Sequence, residues 1–573
     1  MRRCYYILIF FLFTTYISGQ DKKSGFYPPL KLKPVVSGSF GEIRSNHFHS
    51  GLDLTTNGKQ GYRVYSSADG FVSRINVSPT GYGKALYIQH PDGYTTVYGH
   101  LNHYSKRIDS LVRKNQYKNK SYAVSLFFKK NELPVKRGEV VAYSGNSGSS
   151  GGPHLHYEIR KTASQKPVDP LLFRSDVEDD VRPRIQGLKI YPIDSNSRIE
   201  GGHKSKYMQT VFYDKQYHPK GQKTVKARGK IGLGLQVLDY LSDSWRKCGV
   251  RSVELFVDSQ RIYMSDVSTF SFAETRYINS LVDYAEKKRT GKVIQKSFVE
   301  PNNRLSIYKG VKDKGVINLS PGDKMQVKYV VKDASENVSV LSFTLIGVAY
   351  PNDEPAAGND HDLMQKIAWD RPFEFKSNGV TVKFNSRTFY TDVPFYFEVD
   401  SDANNFLSPI YVIGDDEIPV HKYFDIEIPV PDSIDYPKDK LLIAGVTSRG
   451  SPYYIGGSLS ENRISGRVRG FGKYTLYADT IAPAIRLYKA PSGLNYKGRK
   501  TIDVKISDNL SGVKSYNCYI DGKWILFEYD SKNSKLTAYK EYFPKIGSGK
   551  KELRIVVVDN RGNKKERKYN IIL

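Results

Sequence analysis

The chain has 573 residues, too many for a single hydrophobic core, and its length argues for about three to five domains. Tyrosine is abundant, and valine, isoleucine, threonine and phenylalanine recur in short runs, a composition that favours strands. The formal net charge is +28, which attracts polyanions or keeps the surface solvated, but the lysines are scattered along the chain rather than gathered on one segment as a nucleic-acid footprint would be.

The opening "MRRCYYILIFFLFTTYISGQ" has two arginines, an apolar run, and small residues at Ser18 and Gly19. This is the layout of a secretory signal peptide over residues 1–19, and the apolar run is short for a spanning helix. Cys4 precedes that run, so it is not placed like a lipidated cysteine. No later segment is apolar enough to span a bilayer. The expectation is an exported protein without a transmembrane segment after signal removal, in the periplasm, the cell envelope or outside the cell. Such a location adds to the case against a nucleic-acid partner. Beyond the signal only Cys248 and Cys518 remain, far apart, which indicates neither a disulfide framework nor a thiolate metal knuckle.

Residues 25–175 are rich in glycine and histidine. "YRVYSSADGFVSRINV" and "KALYIQHPDGYTTVYGHL" alternate apolar and polar residues around glycine and Asp-Gly turns, and read as antiparallel strands and hairpins. Residues 103–136 break this rhythm, and the spacing of Ile108, Leu111 and Val112 predicts a helix in the first half of that insertion.

After "VEDDVRPRIQGLKIYPI", a linker entering a strand, three further domains are expected. These are a β-sandwich over 180–348, a β-rich domain over 350–479 with a short helix at 359–369, and an immunoglobulin-like sandwich over 480–573. An internal repeat relates the first and the last. "LDYLSD" at 238–243 resembles "SDNLSG" at 507–512, and Asp333 and Asn337 correspond to Asp559 and Asn563. These turns resemble the Asp-rich turns of immunoglobulin-like modules of bacterial surface proteins. None of the three segments holds a dense run of metal-type residues, and no catalytic site is expected in them. The fold class is mainly β: an antiparallel-sheet domain followed by about three sandwiches.

The chemistry concentrates in the first domain. In a strand, residues i and i+2 share a face. "HLHYEI" therefore projects His154 and His156 together, as a metal pair, a catalytic pair or an ordinary structural pair. The other histidines change the weighing. "NHFHSGLDL" adds His49 and, four residues on, Asp53; "TVYGHL" adds His100 after a strand; and imidazole and carboxylate are both zinc ligands.

In this order, "HSGLD", "VYGHL" and "GNSGSSGGPHLHYEI" resemble the lysostaphin-type (LytM-like) zinc metallopeptidases that cleave peptidoglycan peptides, over residues of about 40–170. The resemblance implies zinc as cofactor, held by His49, Asp53 and His156. It implies that His100 and His154 line an activated water and move its proton. The implied substrate is peptidoglycan stems or cross-bridges; the sandwiches inherit nothing from the resemblance, and their expected role is to bind anionic envelope polymers or envelope proteins. A non-enzymatic regulator of cell-wall hydrolases on the same fold is the alternative. His47, His90 and His103 fall outside the matched elements, and Glu158 reads as a supporting carboxylate. The 103–136 insertion departs from the compact family pattern. It can rim the groove, block it, or be a surface elaboration.

Overall fold

A computed structural model describes residues 25–573 apart from 175, 243, 351–364 and 402–404. The expected signal peptide lies outside the described residues, as does most of the helix expected over 359–369. The remainder of that segment corrects the expectation: Gln365–Ile367 is a strand paired with Val393–Phe395, a tertiary pairing that overrides weak helical spacing. The molecule is mainly β, and among the described residues no helix is long and apolar enough to cross a membrane.

The first unit is built on one antiparallel sheet. Its main strands are β1 (Val36–Gly38), β2 (Leu52–Thr55), β3 (Gly70–Val77), β4 (Lys84–Gln89), β5 (Tyr94–Gly99), β6 (Val124–Phe127) and β7 (His154–Lys161). Their spatial order is β1-β2-β7-β5-β4-β3-β6, which places β7 between β2 and β5 although it comes last in sequence. The alternation in β7 decides which face does what. Leu155, Tyr157 and Ile159 are fully buried on the core side with Leu52 and Leu54 of β2. His154, His156, Glu158 and Arg160 share the opposite face.

The insertion forms helix α1 (Lys106–Asn119), which buries Ile108 and Val112 against the sheet and ends at Lys120 in a left-handed cap. Its outer side meets the last unit. Tyr117 Oη donates to the Tyr542 carbonyl at 2.7 Å, and the Tyr117 ring meets Trp524 edge-on. The arrangement makes the insertion a docking platform. At its centre Glu528 accepts from Lys84 Nζ at 2.7 Å and Arg113 Nη2 at 3.3 Å, with all three side chains largely buried.

Removing one member of such a group strands the others in low dielectric. Glu528→Gln is therefore expected to destabilise this contact by about 3 kcal/mol. Hydrogen exchange at Lys106–Asn119 in the full chain should rise accordingly; unchanged protection would mean that the group is energetically neutral. Burial raises the Glu528 carboxyl, but Lys84 and Arg113 outweigh it and hold the group below its ordinary value of 4.5. Its contribution is thus complete above pH 4.5 and is lost as the pH falls through the lower folded value.

Three further β units follow. Residues 184–347 form one continuous sheet bent over a core of Leu188, Leu233, Leu235, Tyr329 and Leu341, with the long strand Thr224–Leu238 joining its two halves. Residues 365–478 form two five-stranded sheets and one two-stranded sheet around a cluster of phenylalanines in edge-on and tilted contact, Phe384, Phe395, Phe424 and Phe471 among them. Residues 484–572 form two four-stranded sheets whose strands alternate cleanly, as in Lys550–Asp559, where Leu553, Ile555 and Val557 point inward. Cys248 and Cys518 are buried and unbonded to each other.

Candidate metal centre

The register of β7 assembles the centre. His156 lies directly across from Asp53 on β2 and from Gly99 on β5, so a carboxylate sits on one side and no side chain on the other. The Cβ that Gly99 lacks would lie 3.3 Å from the His156 Cβ. His49 enters from the loop before β2, which closes through Gly41 N donating to the His49 carbonyl and His49 N to the Glu42 carbonyl.

Three atoms converge. His49 Nε2 is 3.0 Å from His156 Nδ1, and Asp53 Oδ1 is 3.1 Å from the first and 2.9 Å from the second. The remaining ring nitrogens fix the tautomers. His49 Nδ1 lies 2.8 Å from the Ser39 carbonyl and so donates to it, while His156 Nε2 lies 2.8 Å from Glu158 Oε1 and donates there. Both inward nitrogens are thus lone-pair acceptors, and they face each other beside a carboxylate oxygen. Such a set is stable only around a cation or a shared proton, and its N, N, O chemistry fits zinc.

Without a cation the same set favours the shared proton: burial works against charge on His156, yet its hydrogen bonds to the Asp53 and Glu158 carboxylates outweigh it and push the imidazole up to about 9. Burial raises Asp53 too, but His49 and the hydrogen bonds from His154 and His156 hold it well below the usual carboxylate range. His49 is pushed down, mainly by burial.

Two more imidazoles adjoin the group. His154 has Nδ1 at 2.8 Å from the Gly152 carbonyl and Nε2 at 3.3 Å from Asp53 Oδ1. His100 follows β5 with a left-handed backbone, φ +58°, uncommon for a residue with a side chain. That turn places its ring 4.8 Å from His154, with Nδ1 2.9 Å from the Ser147 carbonyl. Burial, then His156 and His154, push His100 down to about 3, so it is neutral at neutral pH.

The sequence-derived residues His49, Asp53, His100, His154 and His156 are therefore brought together. The competing histidines are not. His47 is exposed on the rim, His90 is tied to the Asp69 carbonyl and Thr96, and His103 stacks on Tyr143. The glycine run acts only in part as a close-packing device. A Cβ on Gly148, φ +69°, would meet Gly83 N at 2.3 Å, whereas Gly151 and Gly152 have open space around them.

Sequence reading missed several supporting residues. Arg44 Nη2 holds Asp53 Oδ2 at 2.7 Å, leaving Oδ1 for the centre. Tyr82 stacks on His156 and donates to Glu158 Oε1, which also accepts from Ser50 Oγ. Arg160 Nε bonds the other oxygen of Glu158, and the pairing on β7 follows i, i+2 spacing that "HYEIR" displayed. No local pattern marks Arg44 or Tyr82, because both reach the site through folded loops.

Residues 47–118 and 117–170 match the family described as Peptidase family M23, and residues 364–479 match the Zu5-like domain. Among curated relatives, an uncharacterized metalloprotease of Haemophilus influenzae is 34% identical over 152 residues, covering 26% of this chain and 25% of that protein. The DD-carboxypeptidase/endopeptidase Mpg of Neisseria meningitidis is 30% identical over 156 residues, covering 26% and 30%. The chain thus spans between a quarter and a third of the length of these relatives. Among solved structures, the catalytic domain of the prophage-encoded M23 protein EnpA of Enterococcus faecalis is 26% identical, covers 25% of this chain and 95% of that one, and gives a TM-score of 0.19. A zinc-containing peptidase from Vibrio cholerae is 28% identical, with 27% and 41% covered and a TM-score of 0.20.

Proposed function

We propose that this chain, which carries a peptidase family M23 domain over residues 47–170, is a zinc-dependent endopeptidase that hydrolyses peptide stems or cross-bridges of peptidoglycan. The observation that carries the reading is the convergence of two imidazole lone pairs and one carboxylate oxygen beside two further imidazoles. His49, Asp53 and His156 are the residues that would hold the metal. Zinc bound there supplies a Lewis acid that acidifies water and polarises an amide carbonyl.

The chain's own residues do the rest. His154 and His100 each set Nδ1 against a backbone carbonyl, so Nε2 is the atom that takes a proton from the attacking water, in His154 by leaving its 3.3 Å contact with Asp53 Oδ1. The same nitrogen then donates to the departing amine. Glu158 fixes the ring of His156, and Arg160 and Tyr82 fix Glu158. Glu158→Gln keeps the shape but weakens that orientation, and zinc affinity is expected to fall about 10- to 100-fold, measured by chelator competition. An unchanged affinity would mean that the carboxylate does not support the ligand.

The net charge of +28 supports a place among anionic envelope polymers, in the periplasm or outside the cell, with the β units holding polymer or envelope protein. Purified peptidoglycan incubated with the full chain should release new peptide ends, and a chelator should stop the release. No zinc-dependent release would refute the assignment.

A further inference from the structure

Two clusters of aspartates outside the histidine centre occupy equivalent places in the β units at 184–347 and 484–572. Asp179, Asp239 and Asp333 bring one carboxylate oxygen each within 4.8 Å of one another, and so do Asp479, Asp508 and Asp559. These segments hold no dense run of metal-type residues, and only the fold brings the aspartates together. Each draws one aspartate from the segment entering the unit, one from the repeated "LDYLSD" or "SDNLSG" turn, and one from the turn near the unit's end.

The scaffolding is the same in both. Asn337 Nδ2 donates to Asp333 Oδ2 at 2.9 Å and to the Asp179 carbonyl at 3.0 Å. Asn563 Nδ2 donates to Asp559 Oδ2 at 2.8 Å and to the Asp479 carbonyl at 2.9 Å. The backbone N–H groups of Asn337 and Asn563 donate to the other oxygen of Asp333 and Asp559. Chance similarity of generic turns does not explain a shared three-dimensional hydrogen-bond pattern.

Three observations separate these clusters from ordinary surface acidity. First, in a chain of net charge +28, no Lys, Arg or His among the described residues forms an ion pair with any of the six. Secondly, Asp239 and Asp479 are 3% and 1% exposed, and Oδ1 of each has no hydrogen-bond partner among the described residues; Asp508 Oδ1 and Ser511 Oγ are likewise unpartnered. Buried polar atoms are otherwise nearly always satisfied. Thirdly, Asp179 and Asp239 line an enclosed cavity of about 10 Å³, enough for one water-sized sphere. Burial, followed by the neighbouring Asp333 and Asp179, pushes the Asp239 carboxyl up to about 8, the response of a like-charged group without a counter-ion.

We infer that each aspartate cluster is a binding site for a hard divalent cation of the calcium type, one at the entry to each of the two repeated β units. All available ligands are oxygens, supplied by carboxylates and the carbonyls beside them, with no imidazole or thiolate, which is calcium rather than zinc chemistry. Because Asp179 and Asp479 belong to the connecting segments, each ion ties an incoming linker to the unit that follows it. This conclusion is independent of the peptidase assignment.

The test is calorimetric titration of the zinc-repleted full chain with calcium chloride, alongside thermal unfolding with and without calcium. Two equivalents are expected, with one lost in Asp239→Asn, the other in Asp508→Asn, and both in the double variant. Calcium should raise the melting temperature of the parent and leave that of the double variant unmoved. With calcium chelated, neither variant should melt below the parent, because asparagine keeps the shape and one acceptor oxygen of the aspartate it replaces. Absence of calcium uptake, or uptake unchanged in the double variant, overturns the inference. So does a parent that calcium does not stabilise while the variants melt lower, since the aspartates then serve only as hydrogen-bond scaffolds.

Discussion

Asp53→Ala is expected to remove metal and activity together. Among the described residues, its Oδ1 is the anionic atom that meets the inward nitrogens of His49 and His156, 3.1 and 2.9 Å away. Alanine leaves two neutral lone pairs facing each other, a poor site for a cation. Zinc content should fall to background, and release of peptide ends should drop at least about a thousandfold, as when a catalytic unit loses a member that its other members depend on. The fold should survive, because Arg44, which loses its partner at Asp53, keeps Glu42 at 3.2 Å. An Asp53→Ala protein that lost zinc but kept its full rate would exclude metal-dependent hydrolysis.

His154→Ala should separate the two properties that Asp53→Ala removes together. His154 stands at the edge of the centre, its side chain 16% exposed against 4% for His156, and its Nε2 approaches Asp53 at 3.3 Å without joining the tight convergence. The variant should keep zinc and lose turnover by about 10²- to 10⁴-fold, the range for a positioned general acid–base. KM should change little, since the ring moves a proton rather than binding the peptide. His156→Ala, by contrast, should lose both. If His154→Ala abolished zinc binding while His156→Ala did not, the division of labour along β7 would be the reverse.

Much of the centre was legible because β7 is a regular strand. Its period of two puts His154 and His156 on one face, and the ordered elements around His49, Asp53 and His100 supplied the other candidates. The β class was legible for the same reason, in the alternation of segments such as Lys550–Asp559. What stayed hidden depends on tertiary approach. Arg44 and Tyr82 reach the centre through loops, and Gln365–Ile367 became a strand because Val393–Phe395 lies beside it. The repeated turns carry four of the six clustered aspartates, but their convergence was hidden because the members of each cluster are scattered over more than seventy residues and only meet when the linker folds back.

The last unit's return to the first has a consequence for the order in which the molecule is finished. Glu528 meets Lys84 across 444 positions of chain, and Lys532 reaches the Ser150 carbonyl, in the loop leading to His154, across 382. Closing so long a loop costs little more entropy than closing a short one, because the cost grows only with the logarithm of length. Time is another matter. Synthesis runs from the first residue, so the histidine centre can fold while some four hundred residues are still unmade. During that interval the loop before β7 has no lysine at its back and α1 has a bare outer side. A nascent or truncated chain would therefore hold every group of the centre and lack one wall beside it, which makes the shape around the histidines a report on whether the unit at 484–572 has arrived.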